Sequence, residues 1–124
     1  MIHLDTSALN DALTGPKRSA RRLRELMAGP EPLAISIIVL FEWLRGPRFP
    51  EEIEAQEALF PKINAVSFGS LEAECAADLY KKVKRARGRE ADLAIAACAL
   101  VHGAALWTLN SDDFKDIPGL QLLA

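Results

Sequence analysis

Short apolar segments alternate with longer helix-like segments along the whole of this 124-residue chain. Residues 2–4, 33–35 and 106–108 are predicted to be short buried strands, and helical patterns lie between them. Strands that alternate with helices usually pair in parallel, because each helix carries the chain back across a face of the sheet. The sequence therefore predicts an α/β fold, a single domain over residues 1–124 with a mainly parallel central sheet flanked by helices.

Six helices are predicted, and most of them end at a glycine or a proline. Ser36 and Ser70 are placed to cap the helices that follow them, because a serine hydroxyl accepts a hydrogen bond from the first helical turn. Two further strands are expected, at residues 65–68 and, on the sheet edge, at residues 121–123. The predicted helices span residues 5–14, 19–28, 36–45, 51–60, 70–87 and 90–102.

The composition favours a packed domain in a reducing, cytoplasmic environment. Half of the residues are hydrophobic, which is enough for a core and argues against disorder. Cys75 and Cys98 both lie in helix-like sequence, which favours free thiols over a disulfide framework. We expect no signal peptide, because the first residues form a strand, and no membrane span, because no apolar stretch approaches roughly 20 residues.

The positive charges are unevenly distributed, although the net charge is only −2. Basic clusters on an acidic chain can form a phosphate-binding surface, but they can equally be solvated helix faces. The clusters alone do not separate the two. Eleven of the fifteen Lys and Arg residues fall in two segments: Lys17, Arg18, Arg21, Arg22 and Arg24, and then Lys81, Lys82, Lys84, Arg85, Arg87 and Arg89.

Carboxylates in four segments are the main functional signal. Asp5 ends the first strand, Glu42 lies inside an apolar run, Asp92 opens an apolar helix, and residues 110–113 follow a strand. Strand ends and helix starts converge at one edge of a parallel sheet. Isolated carboxylates among apolar residues are costly unless they are paired or bind a cation. A shared site with a divalent metal would relieve their mutual repulsion.

Each acid also has an ordinary structural explanation. Asp5 can cap the following helix, a role worth about 1 kcal/mol. Glu42 can pair with Arg45 three residues later, and Asp92 is favoured by the dipole of its helix. The two aspartates of the last segment can be turn residues. Four separate explanations are less economical than one shared site.

The ordered set of segments resembles the PIN-domain ribonucleases, and within them the VapC-type toxins of prokaryotic toxin–antitoxin pairs. No single motif is specific, but together the motifs cover essentially the whole chain in a family-like order. The matching segments are Leu4-Asp5-Thr6-Ser7-Ala8, residues 36–46 around Glu42, residues 89–97 around Asp92, Thr108-Leu-Asn110-Ser-Asp-Asp113-Phe114, and Ile117-Pro-Gly119.

The resemblance implies an endoribonuclease that cleaves RNA phosphodiester bonds with Mg²⁺ or Mn²⁺. Asp5, Glu42 and Asp92 match the three principal acids of the family, which hold the metal directly or through water. We expect Asp113 to be a catalytic residue together with these three acids. The fourth position stays open, however, because Asn110 stands where many relatives have an aspartate, and Asp112 lies beside Asp113.

The resemblance also implies supporting residues and partners. Thr6, Ser7, Thr108 and Asn110 match the residues that support the acids. The expected partners are RNA, a VapB-like antitoxin and a second copy of the chain in a homodimer, with no membrane. The alternatives are a PIN nuclease in RNA processing without an antitoxin and a non-catalytic PIN-like binding domain. The residues expected to hold RNA phosphates beside the metal are Arg85, Arg87 and Arg89.

Aromatic and apolar residues near the acids predict an interface. Phe41, Trp43 and Leu44 lie on several sides of one helix, and Phe49 and Phe60 flank the acidic segment after it. A domain of this size can bury only part of such a set, so we expect an exposed apolar patch that binds a second copy and an antitoxin peptide. The alternative is that these residues complete the core.

Overall fold

Three parallel strands form the centre of the protein, in the order β2-β1-β3. The computed structural model describes all 124 residues. The strands are β1 (Ile2–Leu4), β2 (Leu33–Ala34) and β3 (Ala105–Trp107). Ile2 lies opposite Leu33 on one side and Ala105 on the other. The predicted α/β fold with a parallel central sheet is confirmed.

Helices surround this sheet. The most apolar of them, α6 (Glu90–Val101), packs against α5, α3 and β3, and its alanines allow close approach to these neighbours. No helix has the length and apolar character needed to cross a membrane. The remaining helices are α1 (Thr6–Leu13), α2 (Ala20–Ala28), α3 (Ile37–Arg45), α4 (Pro50–Leu59) and α5 (Ser70–Lys82), with short 3₁₀ turns at Lys62–Asn64 and Ser111–Asp113.

The two additional strands predicted from the sequence are each reduced to a single bridge. Val66 pairs with Ser36 beyond β2, and Leu122 pairs with Leu106 of β3. Both segments lie along the sheet edges, but only one residue of each pairs, because a turn or a helix begins within a few residues. The predicted strands at 65–68 and 121–123 were therefore too long, although each segment does pair at the predicted place along the chain.

Helix α5 ends at Lys82 and not at Arg87, as the sequence pattern predicted. Val83 adopts an extended backbone, and the turn that follows has positive φ at Arg85 and at Gly88. A continued helix would stack Lys81 over Arg85, two like charges four residues apart. The turn separates these charges and exposes the side chain of Arg85.

The two predicted serine caps have different outcomes. The Ser36 hydroxyl accepts a hydrogen bond from the Val39 N–H at 3.2 Å, which confirms it as the cap of α3. Ser70 is instead the first residue of α5 and Gly69 is its N-cap. The Gly69 N–H donates to Glu72 Oε1 at 2.7 Å, so the glutamate, three residues later, does the capping.

Candidate active site

Asp5 lies at the carboxyl end of β1 and is 4% exposed. Its N–H donates to the Trp107 carbonyl at 2.8 Å, which joins it to the end of β3. Its carboxylate makes no capping hydrogen bond to α1, so the capping explanation was wrong. Asp5 Oδ2 instead accepts from Ser7 Oγ at 2.9 Å and from Thr108 Oγ1 at 2.7 Å.

The two hydroxyls that hold Asp5 have a defined direction of hydrogen bonding. Ser7 Oγ accepts from the Leu109 N–H, and Thr108 Oγ1 accepts from the Asn110 N–H, both at 3.0 Å. Since each hydroxyl accepts from a main-chain donor, its own hydrogen is available for the carboxylate. Asp5 Oδ1 has no donor from the protein and remains free for another ligand.

Glu42 projects from α3 and has two different partners. Its Oε1 accepts from Thr6 Oγ1 at 2.5 Å, while Oε2 lies 3.6 Å from Arg45 Nη2. The pairing with Arg45 considered as an alternative is present, but the Arg45 side chain is 62% exposed, and such pairs contribute only a few tenths of a kcal/mol. The hydroxyl of Thr6 therefore holds Glu42 beside Asp5.

Asp92 lies in the first turn of α6, as predicted. Burial, and then the charges of Asp5, Asp113 and Glu42, together raise the pKa of its carboxyl to about 6, against the opposing effect of Arg89. These contributions require the other three carboxylates to lie within electrostatic reach of Asp92. The structure thus places Asp5, Glu42 and Asp113 close enough to Asp92 for their charges to act on it.

Residues 110–113, which follow β3, contribute Asp113 to the group of acids around Asp92. Asp112 instead pairs with Lys115 at 3.0 Å at the surface. The Asn110 side chain is exposed and makes no hydrogen bond, although its N–H binds Thr108. Among the three candidates for the fourth position, Asp113 is the one whose charge acts on Asp92.

The three arginines ahead of Asp92 have different environments. Arg85 and Arg87 are exposed and make no hydrogen bond within the protein. Arg89 is 20% exposed and donates to both carboxylate oxygens of Asp116, at 2.9 and 2.6 Å. Sequence reasoning missed the role of Asp116, because a charged residue in a polar turn carries no sign of its distant partner.

The sequence matches the PIN domain family over residues 2–120. The chain belongs to the PIN-domain family. Ribonuclease VapC19 of Mycobacterium tuberculosis (strain CDC 1551 / Oshkosh) is 34% identical to it over 123 residues, which cover 95% of each chain. This PIN domain is therefore of the VapC type.

Solved structures similar to this PIN domain include two toxin–antitoxin complexes. VapBC2 from Rickettsia felis, bound to a DNA fragment from its promoter, aligns with a TM-score of 0.79 and 25% identity, covering 99% of this chain and 98% of the other. A toxin–antitoxin complex from Klebsiella pneumoniae aligns with a TM-score of 0.72 and 31% identity, covering 97% and 95%.

The acids of this PIN domain fit a hydrated divalent cation. No three Asp, Glu, His or Cys side chains converge closely enough to enclose an ion. Mg²⁺ rarely needs such a cage, because it keeps several waters and binds one or two carboxylates together with substrate phosphate. The group of acids offers only oxygen donors, and Asp5 Oδ1 is free. Asp5, Glu42 and Asp92 are therefore suitable to hold Mg²⁺ or Mn²⁺ directly or through water.

The two histidines do not belong to this group. The rings of His3 and His102 lie 5.9 Å apart, with His3 buried and His102 at the end of α6. His102 Nε2 lies 3.4 Å from Glu72 Oε2. Neither imidazole joins a cluster able to hold a metal.

Proposed function

We propose that this protein is a Mg²⁺- or Mn²⁺-dependent endoribonuclease and the toxin of a toxin–antitoxin pair, with residues 1–124 forming one nuclease domain. The observation that carries this proposal is the hydroxyl-anchored Asp5, whose charge acts on Asp92 together with the charges of Asp113 and Glu42. The full-length similarity to a protein named as a ribonuclease supports it.

The roles of the residues follow from their contacts. A bound Mg²⁺ would activate a water for attack on the scissile phosphate and offset the charge that develops there. Ser7 and Thr108 hold Asp5 through Oδ2, which leaves Oδ1 without a donor, and Thr6 holds Glu42 through Oε1. Preorganised ligands need not reorient during the reaction, which is how such supporting residues contribute to the rate.

The test of this function is cleavage of RNA by the purified protein. We expect cleavage in Mg²⁺ or Mn²⁺, its loss in excess EDTA, and its return when the metal is restored. Mapping the cleaved cellular RNAs would identify the substrate. A binding domain without catalysis would retain RNA but yield no metal-dependent products. A small antitoxin-like reading frame next to the gene would separate a toxin from an RNA-processing nuclease.

RNA binding should depend on the exposed arginines of the turn after α5. We expect Arg85→Glu and Arg87→Glu to weaken binding and to reduce its salt dependence by about one phosphate contact each, because every neutralised phosphate releases counterions. Charge reversal at Lys62, in the 3₁₀ turn Lys62–Asn64, serves as the control. Equal effects of all three substitutions in a salt titration would indicate that these charges are solvated surface groups with no role in RNA binding.

The exposed apolar residues of α3 suggest an interface with a second copy and with a VapB-like antitoxin. Trp43 and Phe60 are buried, so for them the core alternative holds. Phe41 and Leu44 remain 61% and 47% exposed, together with Ile37 one turn before. These three residues form an apolar stripe along one side of α3, and such stripes usually mark interfaces. We propose that this stripe supports a homodimer.

Light scattering can test the α3 stripe. We expect Phe41→Ser to convert a micromolar dimer into a monomer and to weaken antitoxin binding without lowering the melting temperature. Ile63→Ser is the matched control, because Ile63 is an equally apolar residue, 88% exposed and outside the stripe. A wild-type protein that is monomeric at micromolar concentration, or a Phe41→Ser variant that stays dimeric, would contradict the proposal.

A further inference from the structure

The Arg89 guanidinium joins three segments next to the acids. Its Nη1 donates to the Lys84 carbonyl at 3.1 Å and to Asp116 Oδ2 at 2.9 Å. Its Nη2 donates to Asp116 Oδ1 at 2.6 Å and to the Asp113 carbonyl at 2.9 Å. An arginine has five N–H donors, so only Nε–H remains uncommitted. Arg89 therefore cannot form a bidentate pair with an RNA phosphate without breaking these bonds.

The segment that Arg89 holds is one that electrostatics tends to displace. The carboxylates of Asp113 and Asp92 repel each other, and this repulsion adds to burial and to the charge of Asp5 in raising the pKa of Asp92. The 3₁₀ turn Ser111–Asp113 is only three residues long, and its other side-chain contact, between Asp112 and Lys115, is local. The bond from Arg89 to the Asp113 carbonyl is the side-chain tie from this turn to the start of α6.

We infer that Arg89 and Asp116 are positioning residues, which hold Asp113 against Asp92 through its main chain and do not contact RNA. Asp116 orients the guanidinium by a bidentate pair, and the guanidinium then fixes the Asp113 carbonyl. The inference rests on the proposed nuclease function. It gives Arg89 a different role from the neighbouring Arg85 and Arg87, whose side chains are free.

Asp116→Asn tests this inference without changing an acid of the site. We expect kcat for RNA cleavage to fall about 10- to 100-fold, a range typical for outer residues that orient the groups of a metal site. KM and the salt dependence of RNA binding should stay unchanged. Arg89→Lys should behave in the same way, because a single ammonium group cannot replace the bidentate pair with Asp116 together with the bond to the Asp113 carbonyl. Asp112→Asn is the matched control, since it removes an ion pair from the same segment and should leave kcat intact.

A double-mutant cycle identifies the residue through which Asp116 acts. In an Asp113→Asn background, which keeps the Asp113 carbonyl, Asp116→Asn should cause little further loss of kcat. Mn²⁺ affinity, measured without RNA by electron paramagnetic resonance, should show the same lack of additivity. Circular dichroism and thermal unfolding would confirm that each variant is folded.

Two results would overturn the inference. One is full additivity of Asp116→Asn and Asp113→Asn in both measurements, which would mean that Asp116 acts elsewhere. The other is an Arg89→Lys variant with normal kcat but weaker, less salt-dependent RNA binding, which would make Arg89 a phosphate ligand. A wild-type protein that binds Mn²⁺ but cleaves no RNA would instead refute the proposed function, and the Mn²⁺ cycle would still decide the roles of Arg89 and Asp116.

Discussion

Replacing Asp5 by asparagine is expected to lower the rate of RNA cleavage by at least about 100-fold, because even an outer partner of a metal ligand is worth about 10- to 100-fold. Asparagine has nearly the same shape and keeps one oxygen to accept from Ser7 and Thr108. It replaces the free Oδ1 with an amide NH₂ group, which is a hydrogen-bond donor and cannot bind a cation. The loss should therefore arise from the missing charge and not from a disturbed fold.

The neighbouring acids provide the comparison. Glu42→Gln and Asp92→Asn should also reduce cleavage severely, and Asp92→Asn should stabilise the metal-free protein because it removes a carboxylate that is repelled by its neighbours. Glu54→Gln, which changes an exposed carboxylate in α4, is the control and should cleave normally. A folded Asp5→Asn protein that cleaved RNA at the wild-type rate in Mg²⁺ would show that its assigned role is wrong.

The grouping of the acids was predictable because it depends on local sequence and chain order. Asp5 directly follows a strand, and Asp92 lies in the first turn of a helix, so their positions follow from the elements themselves. The direction of the Asp5 carboxylate was not predictable. It depends on Thr108, more than a hundred residues away, and a serine or threonine pattern does not indicate which acid it will contact.

Contacts between distant polar residues account for most of what the sequence could not show. Arg89 and Asp116 are 27 residues apart, and the sequence records only their opposite charges. The end of α5 was also missed, because helical periodicity continues through the basic residues where the chain turns at Val83. The proximity of the His3 and His102 rings depends on where the end of α6 lies relative to β1, which no local pattern specifies.

His3 is expected to make the protein sensitive to acid. Its side chain is 1% exposed, and neither ring nitrogen has a hydrogen-bond partner. Burial, and then the charges of His102 and the N-terminus, lower the pKa of His3 from 6.5 to about 4. Because the unfolded chain takes up this proton first, the contribution of His3 to stability is complete above pH 6.5 and is lost as the pH falls toward 4.

The loss of folding stability through His3 on acidification is large for a single residue. The difference between the two pKa values of His3 corresponds to about 3 kcal/mol, since each pKa unit is worth about 1.4 kcal/mol. His3→Leu, of similar volume, should abolish the loss and should be at least as stable as the wild type at pH 7, because it removes two unpaired buried nitrogens. Urea unfolding at pH 7, 6 and 5 in the presence of a chelator would detect about 2 kcal/mol of this loss, because pH 5 lies about 1.5 units below the pKa of 6.5.

The free energy of unfolding of the wild type, measured against pH, would conceal the effect of His3. The contribution of Asp92 to stability changes with pH in the opposite direction. The pKa of Asp92 is raised from 3.8 to about 6, so its contribution is most favourable below 3.8 and is lost as the pH rises through 6. Acidification from pH 6.5 thus weakens the fold through His3 and strengthens it through Asp92. We therefore expect His3→Leu to gain stability between pH 7 and 5, and Asp92→Asn to lose more than the wild type. Parallel curves for all three proteins would contradict both assignments.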